Sequence, residues 1–119
     1  MPQITVDYSP ELSRSFDRRG FALALHKAAG PVVGSEPAHF KTRFRPIDEC
    51  VIGEDTGGAA MVHVRVGLLT GRTTEAKQQL GAVVLEQAGQ SITPVPGLSV
   101  SVTVEVFDMD RETYQRTSV

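Results

Sequence analysis

The sequence lacks the features that mark several large classes of protein. Only one of its 119 residues, Cys50, is a cysteine, which excludes an internal disulfide framework and a zinc cluster built on cysteines. The formal net charge is −2, so the chain has no bulk attraction for nucleic acid or anionic lipid. No apolar run approaches the roughly 18 residues that span a bilayer, and residues 2–19 contain no apolar signal core. We therefore expect a soluble, cytoplasmic protein that binds neither nucleic acid nor membrane.

The sequence also contains no residue pattern typical of a metal site or a nucleotide site. The three histidines are scattered and have no matching carboxylate spacing, so we expect no metal site. Gly57 and Gly58 precede a strand pattern instead of a helix and lack the phosphate-loop spacing, which argues against a bound nucleotide. The sequence therefore predicts neither a metal site nor a nucleotide site.

The residues that are present predict two similar successions of strand, helix and strand. Alternation of apolar and polar residues predicts strands over 3–8, 39–45, 62–68 and 98–106, with 47–52 open as a continuation of the second. The composition, 40% hydrophobic and 22% charged, is that of an ordinary globular domain.

Capping residues and glycines predict where the helices begin and end. Ser9 and Pro10 predict the start of the first helix, and Gly30–Pro31 its end. Thr73 predicts the cap of a second helix that closes near Gly89. Residues 109–119 are polar and predict a short helix or an arm that could reach a neighbouring subunit.

Two βαβ units predict an α+β fold. Right-handed crossovers would place both helices on one face of a four-stranded sheet, and sheets of other subunits would cover the other face. We expect a single domain over residues 1–119, with a first βαβ unit at 2–52, a second at 59–108 and a C-terminal arm at 109–119.

Pro2 is the first residue that could do chemistry. If Met1 is trimmed, Pro2 carries a free secondary amine whose rigid ring fixes the direction of its lone pair. Burial or nearby cations would lower the pKa of that amine toward neutrality, so that it could accept and return a proton. Taken alone, a proline at this position is more often the plain beginning of an edge strand.

Cations cluster at two further places. Lys41, Arg43 and Arg45 project from one face of the second strand and could face an anion, or could form a solvated edge that discourages aggregation. Arg72 lies between a strand and a helix start, where free N–H groups bind carboxylates; Gly71 beside it could equally serve a tight turn.

The remaining titratable residues give weaker signals. His63 lies on a strand among valines and is better explained as a packed or hydrogen-bonded histidine than as a ligand. Asp7, Asp48 and Glu105 lie near strand ends, and no spacing joins them into an acid–base pair.

Together these segments resemble the tautomerase superfamily, and within it the 5-carboxymethyl-2-hydroxymuconate isomerase family. Residues 61–81 are similar to that family's strand, Gly-Arg-Ser/Thr turn and helix rich in Glu, Lys and Gln. Residues 1–9 are similar to its opening strand with an amino-terminal proline, and residues 40–43 stand where it carries an Arg-x-Arg strand. Lys41 replaces the more usual arginine there. The likeness extends over nearly the whole chain in length and element order.

The resemblance implies a trimer of paired βαβ units that moves a proton in an unsaturated hydroxy or keto acid without a metal or cofactor. It implies that Pro2 is the general base and then the acid. Arg72 would hold a substrate carboxylate or the developing enolate oxygen, while Lys41 and Arg43 would bind a further carboxylate. The expected function is a keto–enol isomerase for a small di- or tricarboxylate such as 5-carboxymethyl-2-hydroxymuconate, in aromatic catabolism. The alternative is a non-catalytic trimeric module that binds a ligand or partner on the same fold.

Overall fold

The computed structural model describes residues 1–119 as one four-stranded sheet covered by two helices. The strands and helices are β1 (Gln3–Tyr8), α1 (Arg18–Val33), β2 (Lys41–Pro46), β3 (Ala59–Leu69), α2 (Thr74–Ser91) and β4 (Ser99–Met109). Two short 3-10 turns, Pro10–Leu12 and Pro37–His39, precede α1 and β2. Neither helix combines the length and the apolar character that crossing a membrane requires.

The strand order β2-β1-β3-β4 shows the two βαβ units side by side. β1 pairs in parallel with β2, and β3 pairs in parallel with β4. The two units meet where β1 runs antiparallel to β3, with Gln3 opposite Gly67 and Tyr8 opposite Val62. The α+β fold expected from the sequence is confirmed.

The core lies between the helices and one face of the sheet. Ile4 and Val6 of β1 and the alternate residues of β3 are fully buried, as period-two patterning requires. The helices bury matching residues at helical spacing: Phe21, Leu25 and Ala29 from α1, and Leu80, Val84 and Ala88 from α2. The helices therefore cover the apolar sheet face, and most polar strand side chains lie on the opposite face. Thr42 and Asp108 are exceptions on the covered face, where they contact His26 of α1 and Lys77 of α2.

The first helix begins later than the sequence predicts. Pro10 starts only a 3-10 turn, and the hydroxyl of Ser9 accepts a hydrogen bond from the Met61 backbone N–H at 2.8 Å instead of capping a helix. The segment after this turn is tied to the chain beyond α2, since the Asp17 N–H donates to the Ser91 carbonyl at 2.9 Å. Residues 13–15 form a turn, and Phe16 pairs with Ile92 after α2, so α1 starts only at Arg18.

The expected end of the first helix is wrong, and the structure decides two alternatives that the sequence leaves open. Pro31 lies inside α1, which ends at Val33 with Gly34 as its left-handed cap at φ 67°. Residues 47–52 do not continue β2; Ile47 makes one bond to the Tyr8 carbonyl and the chain then leaves the sheet. The C-terminal arm forms a turn at residues 111–113 and no helix.

Asp17→Ala should lower the free energy of unfolding by about 1 kcal/mol, because the Asp17 carboxylate caps α1 by accepting from the Gly20 N–H at 3.0 Å. Urea unfolding followed by circular dichroism measures the change. Asp48→Ala is the matched control, since Asp48 is an exposed loop aspartate with no side-chain hydrogen bond. Equal unfolding midpoints for the two variants would contradict the capping role.

Candidate active site

The strand directions bring four distant parts of the chain to one edge of the sheet. β1 and β2 begin at this edge, and β3 and β4 end there, because each pair is parallel and the two pairs are antiparallel. Pro2 is fully buried at the start of β1, and its carbonyl accepts from the Lys41 N–H at 3.1 Å. The turn that follows β3 and the arm that follows β4 lie at the same edge.

The amino group at the start of the chain lies in a strongly cationic environment. In this structure it belongs to Met1, and its pKa is lowered first by burial and then by the charges of Arg72, Arg111 and Lys41. Each of these residues belongs to a different element: the turn after β3, the arm after β4 and the start of β2. An amine at this position is therefore held closer to its neutral, proton-accepting form.

Arg72 holds the turn after β3 against the end of α1. Its Nε donates to the Val33 carbonyl, its Nη1 to the Leu69 carbonyl and its Nη2 to the Ser35 hydroxyl, each at 3.1 Å. Every guanidinium nitrogen thus has a partner within the protein. The side chain places its charge near the amino terminus and also satisfies carbonyl groups that the end of α1 would leave open.

The helix start beside Arg72 is already capped. The Thr73 hydroxyl accepts from the Ala76 N–H at 3.1 Å, as the sequence predicts. Gly71 has a φ of 126°, a conformation that favours glycine, so the turn needs this residue for backbone reasons as well.

The three cations of β2 have different surroundings. Lys41 lies at the amino-terminal edge, where it contributes to the low pKa of the amine. Arg43 donates to the side-chain oxygen of Gln3, and Arg45 donates to both oxygens of the Asp7 carboxylate at 2.8 and 3.2 Å. The structure thus brings Lys41 and Arg72 to the amino terminus and directs Arg43 to the neighbouring Gln3 side chain.

Arg111 is a further cation at this edge, and the sequence does not predict its position there. Its Nε and Nη2 both donate to the Thr70 carbonyl, at 3.0 and 2.8 Å, which holds it over the turn after β3. The only signal in the sequence is an arginine two residues after the last strand, within a segment that reads as a polar arm.

His63 belongs to a separate hydrogen-bonded cluster on the open face of the sheet. Its ring nitrogens contact the Thr103 hydroxyl at 2.6 Å and the Glu105 carboxylate at 3.0 Å. Arg65 also donates to Glu105, at 2.8 Å, and the hydrogen bonds from His63 and Arg65 lower the pKa of this carboxyl. The interpretation of His63 as a hydrogen-bonded strand residue agrees with these contacts.

Comparison with solved structures shows which fold this is. A 5-carboxymethyl-2-hydroxymuconate delta-isomerase superposes with a TM-score of 0.83 at 16% identity, covering 100% of this chain and 89% of that chain. A fused 4-OT protein described as a wild-type symmetric trimer gives a TM-score of 0.73 at 24% identity, covering 92% and 87% of the two chains. An FG41 malonate semialdehyde decarboxylase inhibited by 3-bromopropiolate gives 0.70 at 24% identity, covering 98% and 89%.

These likenesses rest on structure and not on sequence. No protein-family model and no curated protein sequence matches the chain. The neighbours nevertheless superpose over almost the full length of both chains. The chain has the fold of the tautomerase superfamily.

Proposed function

We propose that the protein is a cofactor-independent keto–enol isomerase whose base is the amine of Pro2 after removal of Met1. One observation carries the proposal: the start of β1 is buried at a sheet edge where Lys41, Arg72 and Arg111 all act on the chain-terminal amine. A small residue after the initiator methionine favours its removal, which would leave the proline nitrogen in or near this environment.

The chemistry follows from the charge at this edge. The neutral amine takes the hydroxyl proton of a dienol, electron density moves through the conjugated system, and the ammonium returns a proton to carbon. Substrate and product differ only in the position of one proton and of the double bonds. Negative charge develops on the substrate oxygen during the transfer, and the fixed guanidinium of Arg72 stabilises it. The same cations disfavour the protonated amine, so one cluster serves both steps.

The cations also define the substrate class. A small unsaturated acid with two or three carboxylates, such as 5-carboxymethyl-2-hydroxymuconate, matches a site with Arg72 at one end and Lys41 and Arg43 along β2. The isomerase named among the structural neighbours supports this choice of substrate. We further propose a role in aromatic catabolism in the cytoplasm.

A homotrimer is part of the proposal. The open sheet face and the unpaired outer edges of β2 and β4 leave room for contacts between copies. The fused 4-OT neighbour, described as a symmetric trimer, supports three-fold assembly.

A non-catalytic ligand-binding module is the second candidate. The observation that favours it is the complete engagement of Arg72, whose three nitrogens all bond within the chain. An arginine used in this way could maintain the fold at the amino terminus of a protein that only binds carboxylates.

Intact-mass measurement followed by a turnover assay distinguishes the two candidates. For the isomerase we expect the mass of the mature protein to lack one methionine. We also expect that protein to convert 5-carboxymethyl-2-hydroxymuconate, 2-hydroxymuconate or phenylenolpyruvate, followed by the ultraviolet absorbance of the dienol. Protein with a confirmed free Pro2 that leaves all three dienols unchanged would exclude the isomerase.

A further inference from the structure

The arm after β4 contributes a cation whose binding capacity is not used within the protein. Arg111 donates from Nε and Nη2 to a single acceptor, the Thr70 carbonyl, and its Nη1 has no protein partner. Arg72 by contrast is bonded at every nitrogen. Arg111 therefore keeps an unused donor end at this edge for an incoming carboxylate.

The position of Arg111 is fixed by its neighbours on both sides. The Thr70 N–H donates to the Met109 carbonyl at 3.1 Å, which joins the turn after β3 to the end of β4. A Cβ built on Gly71 would lie 3.7 Å from Nη2 of Arg111, so the guanidinium lies directly over the residue that precedes Arg72.

The arm itself is held in one conformation by Asp110. The Asp110 carboxylate accepts from the Glu112 N–H at 3.0 Å and from the Thr113 hydroxyl at 3.1 Å. The Tyr114 N–H donates to the Asp110 carbonyl at 3.0 Å, and the Tyr114 hydroxyl accepts from Nε2 of Gln3, the residue after Pro2, also at 3.0 Å. The arm is thus preorganised and anchored to the start of β1, which reduces the entropy lost when a ligand binds.

We propose that Arg111 is a substrate-binding residue, which takes a carboxylate of the substrate through Nη1 and the remaining N–H of Nη2, at the same sheet edge as Pro2. The inference rests on the proposed isomerase function and makes the C-terminal arm part of the active site. In this arrangement Arg111 binds the carboxylate in a bidentate manner. Arg72 supplies charge to the reacting oxygen, and Lys41 faces the site from β2.

The test compares Arg111→Gln with Arg116→Gln, a matched control in the same arm whose guanidinium contacts only Ser118. The probe is trans,trans-muconate, a dicarboxylate without the hydroxyl that isomerisation requires, and its binding is followed by NMR titration. We expect Arg111→Gln to weaken muconate binding, and to raise KM for 5-carboxymethyl-2-hydroxymuconate, by roughly tenfold or more. We expect Arg116→Gln to change neither quantity.

Arg111→Lys separates the geometry of the side chain from its charge. Lysine keeps the positive charge but loses the planar fork, so we expect muconate binding to weaken while the pKa of the terminal amine, measured by nitrogen NMR, stays low. In Arg111→Gln the pKa of the amine should rise, because one of its three cationic neighbours is lost and only Lys41 and Arg72 remain. A merely structural arginine would raise the amine pKa in the same way but would leave the KM and muconate binding unchanged in folded variants.

The outcomes separate the two proposals. Turnover and muconate binding that are both unaffected by Arg111→Gln would overturn the Arg111 site and leave the isomerase standing. Muconate binding that depends on Arg111, in a protein with a free Pro2 that turns over no dienol, would overturn the isomerase and support the carboxylate site.

Discussion

Pro2→Ala should lower dienol turnover about a hundredfold or more, while the protein remains folded. Alanine is also small enough for the initiator methionine to be removed, so the mature variant still begins with an amine. That amine is primary and rotates freely about its bond to Cα, so the directed lone pair of the ring nitrogen is lost. A positioned acid–base group typically contributes 10²–10⁴ to the rate, and this variant loses the positioning. Steady-state kinetics on 5-carboxymethyl-2-hydroxymuconate measures the loss.

The cost in stability should be much smaller than the cost in rate. Pro2 is fully buried, and replacing its ring with a methyl group removes about two buried methylenes, or about 1–2 kcal/mol. Pro10→Ala is the matched control, because Pro10 is exposed at the first position of a 3-10 turn and lies away from the site. A variant that unfolds more easily but keeps full turnover would show that Pro2 serves only the fold.

The pH dependence gives an independent check on Pro2. Burial and three cations lower the pKa of the Met1 amine, and we expect the same surroundings to lower the pKa of the Pro2 amine once Met1 is removed. The free amine is the active base, so kcat/KM should rise through this lowered pKa as the pH increases. An acidic limb at the position of an ordinary, unshifted amine would contradict the role of the cations.

Substitution of Arg72 should affect both stability and activity, and the two effects can be separated. Arg72→Lys keeps the charge but cannot reproduce hydrogen bonds to Val33, Leu69 and Ser35 at once. We expect the free energy of unfolding to fall by about 1–3 kcal/mol, because at least one half-buried carbonyl loses its donor. Arg72→Gln should show a similar loss of stability and, in addition, a higher pKa of the amine.

Turnover then shows whether Arg72 acts on the reaction through its charge or only stabilises the fold. We expect Arg72→Gln to lower kcat by about a hundredfold, as for the removal of a group that stabilises a developing oxyanion. Arg72→Lys should retain more of the rate, since its charge remains at the same edge. Arg14→Lys and Arg14→Gln are the matched controls, because Arg14 is exposed and makes no side-chain hydrogen bond. Wild-type rates in both Arg72→Lys and Arg72→Gln would remove Arg72 from the chemistry and leave it a purely structural role.

The open sheet face shows why some residues could be interpreted from the sequence alone. His63, Arg65 and Glu105 lie on alternating positions of strands, so their exposure on one face follows from the period of two. The alternation also predicts the buried positions of β1 and β3, because a one-residue slip would move every apolar side chain to the open face.

Helix boundaries predicted from neighbouring residues are wrong where a distant residue bonds to the capping group or other contacts decide the end. Ser9 and Pro10 are good helix-start residues, yet the Ser9 hydroxyl is engaged by Met61 on another strand, and α1 begins at Arg18. Pro31 reads as a stop, but it lies in the last turn of α1, where Gly34 ends the helix in left-handed geometry. Propensity describes each segment in isolation, and these boundaries were decided by contacts between segments.

The order of the elements and the buried face of each strand follow from local chemistry and short spacing, whereas the choice of Pro2, Lys41 and Arg72 as site residues rests on the resemblance to the tautomerase superfamily. Contacts between distant segments are visible only in the folded chain: Arg111 lies with these residues, Arg43 bonds to Gln3, and each guanidinium nitrogen of Arg72 has a partner. The physical reason is topological. The pairing of β1 with β3 and of β3 with β4 brings the two ends of the chain together, so that Gln3 and Tyr114 are in contact although 111 positions apart. No local pattern of residues predicts such a contact.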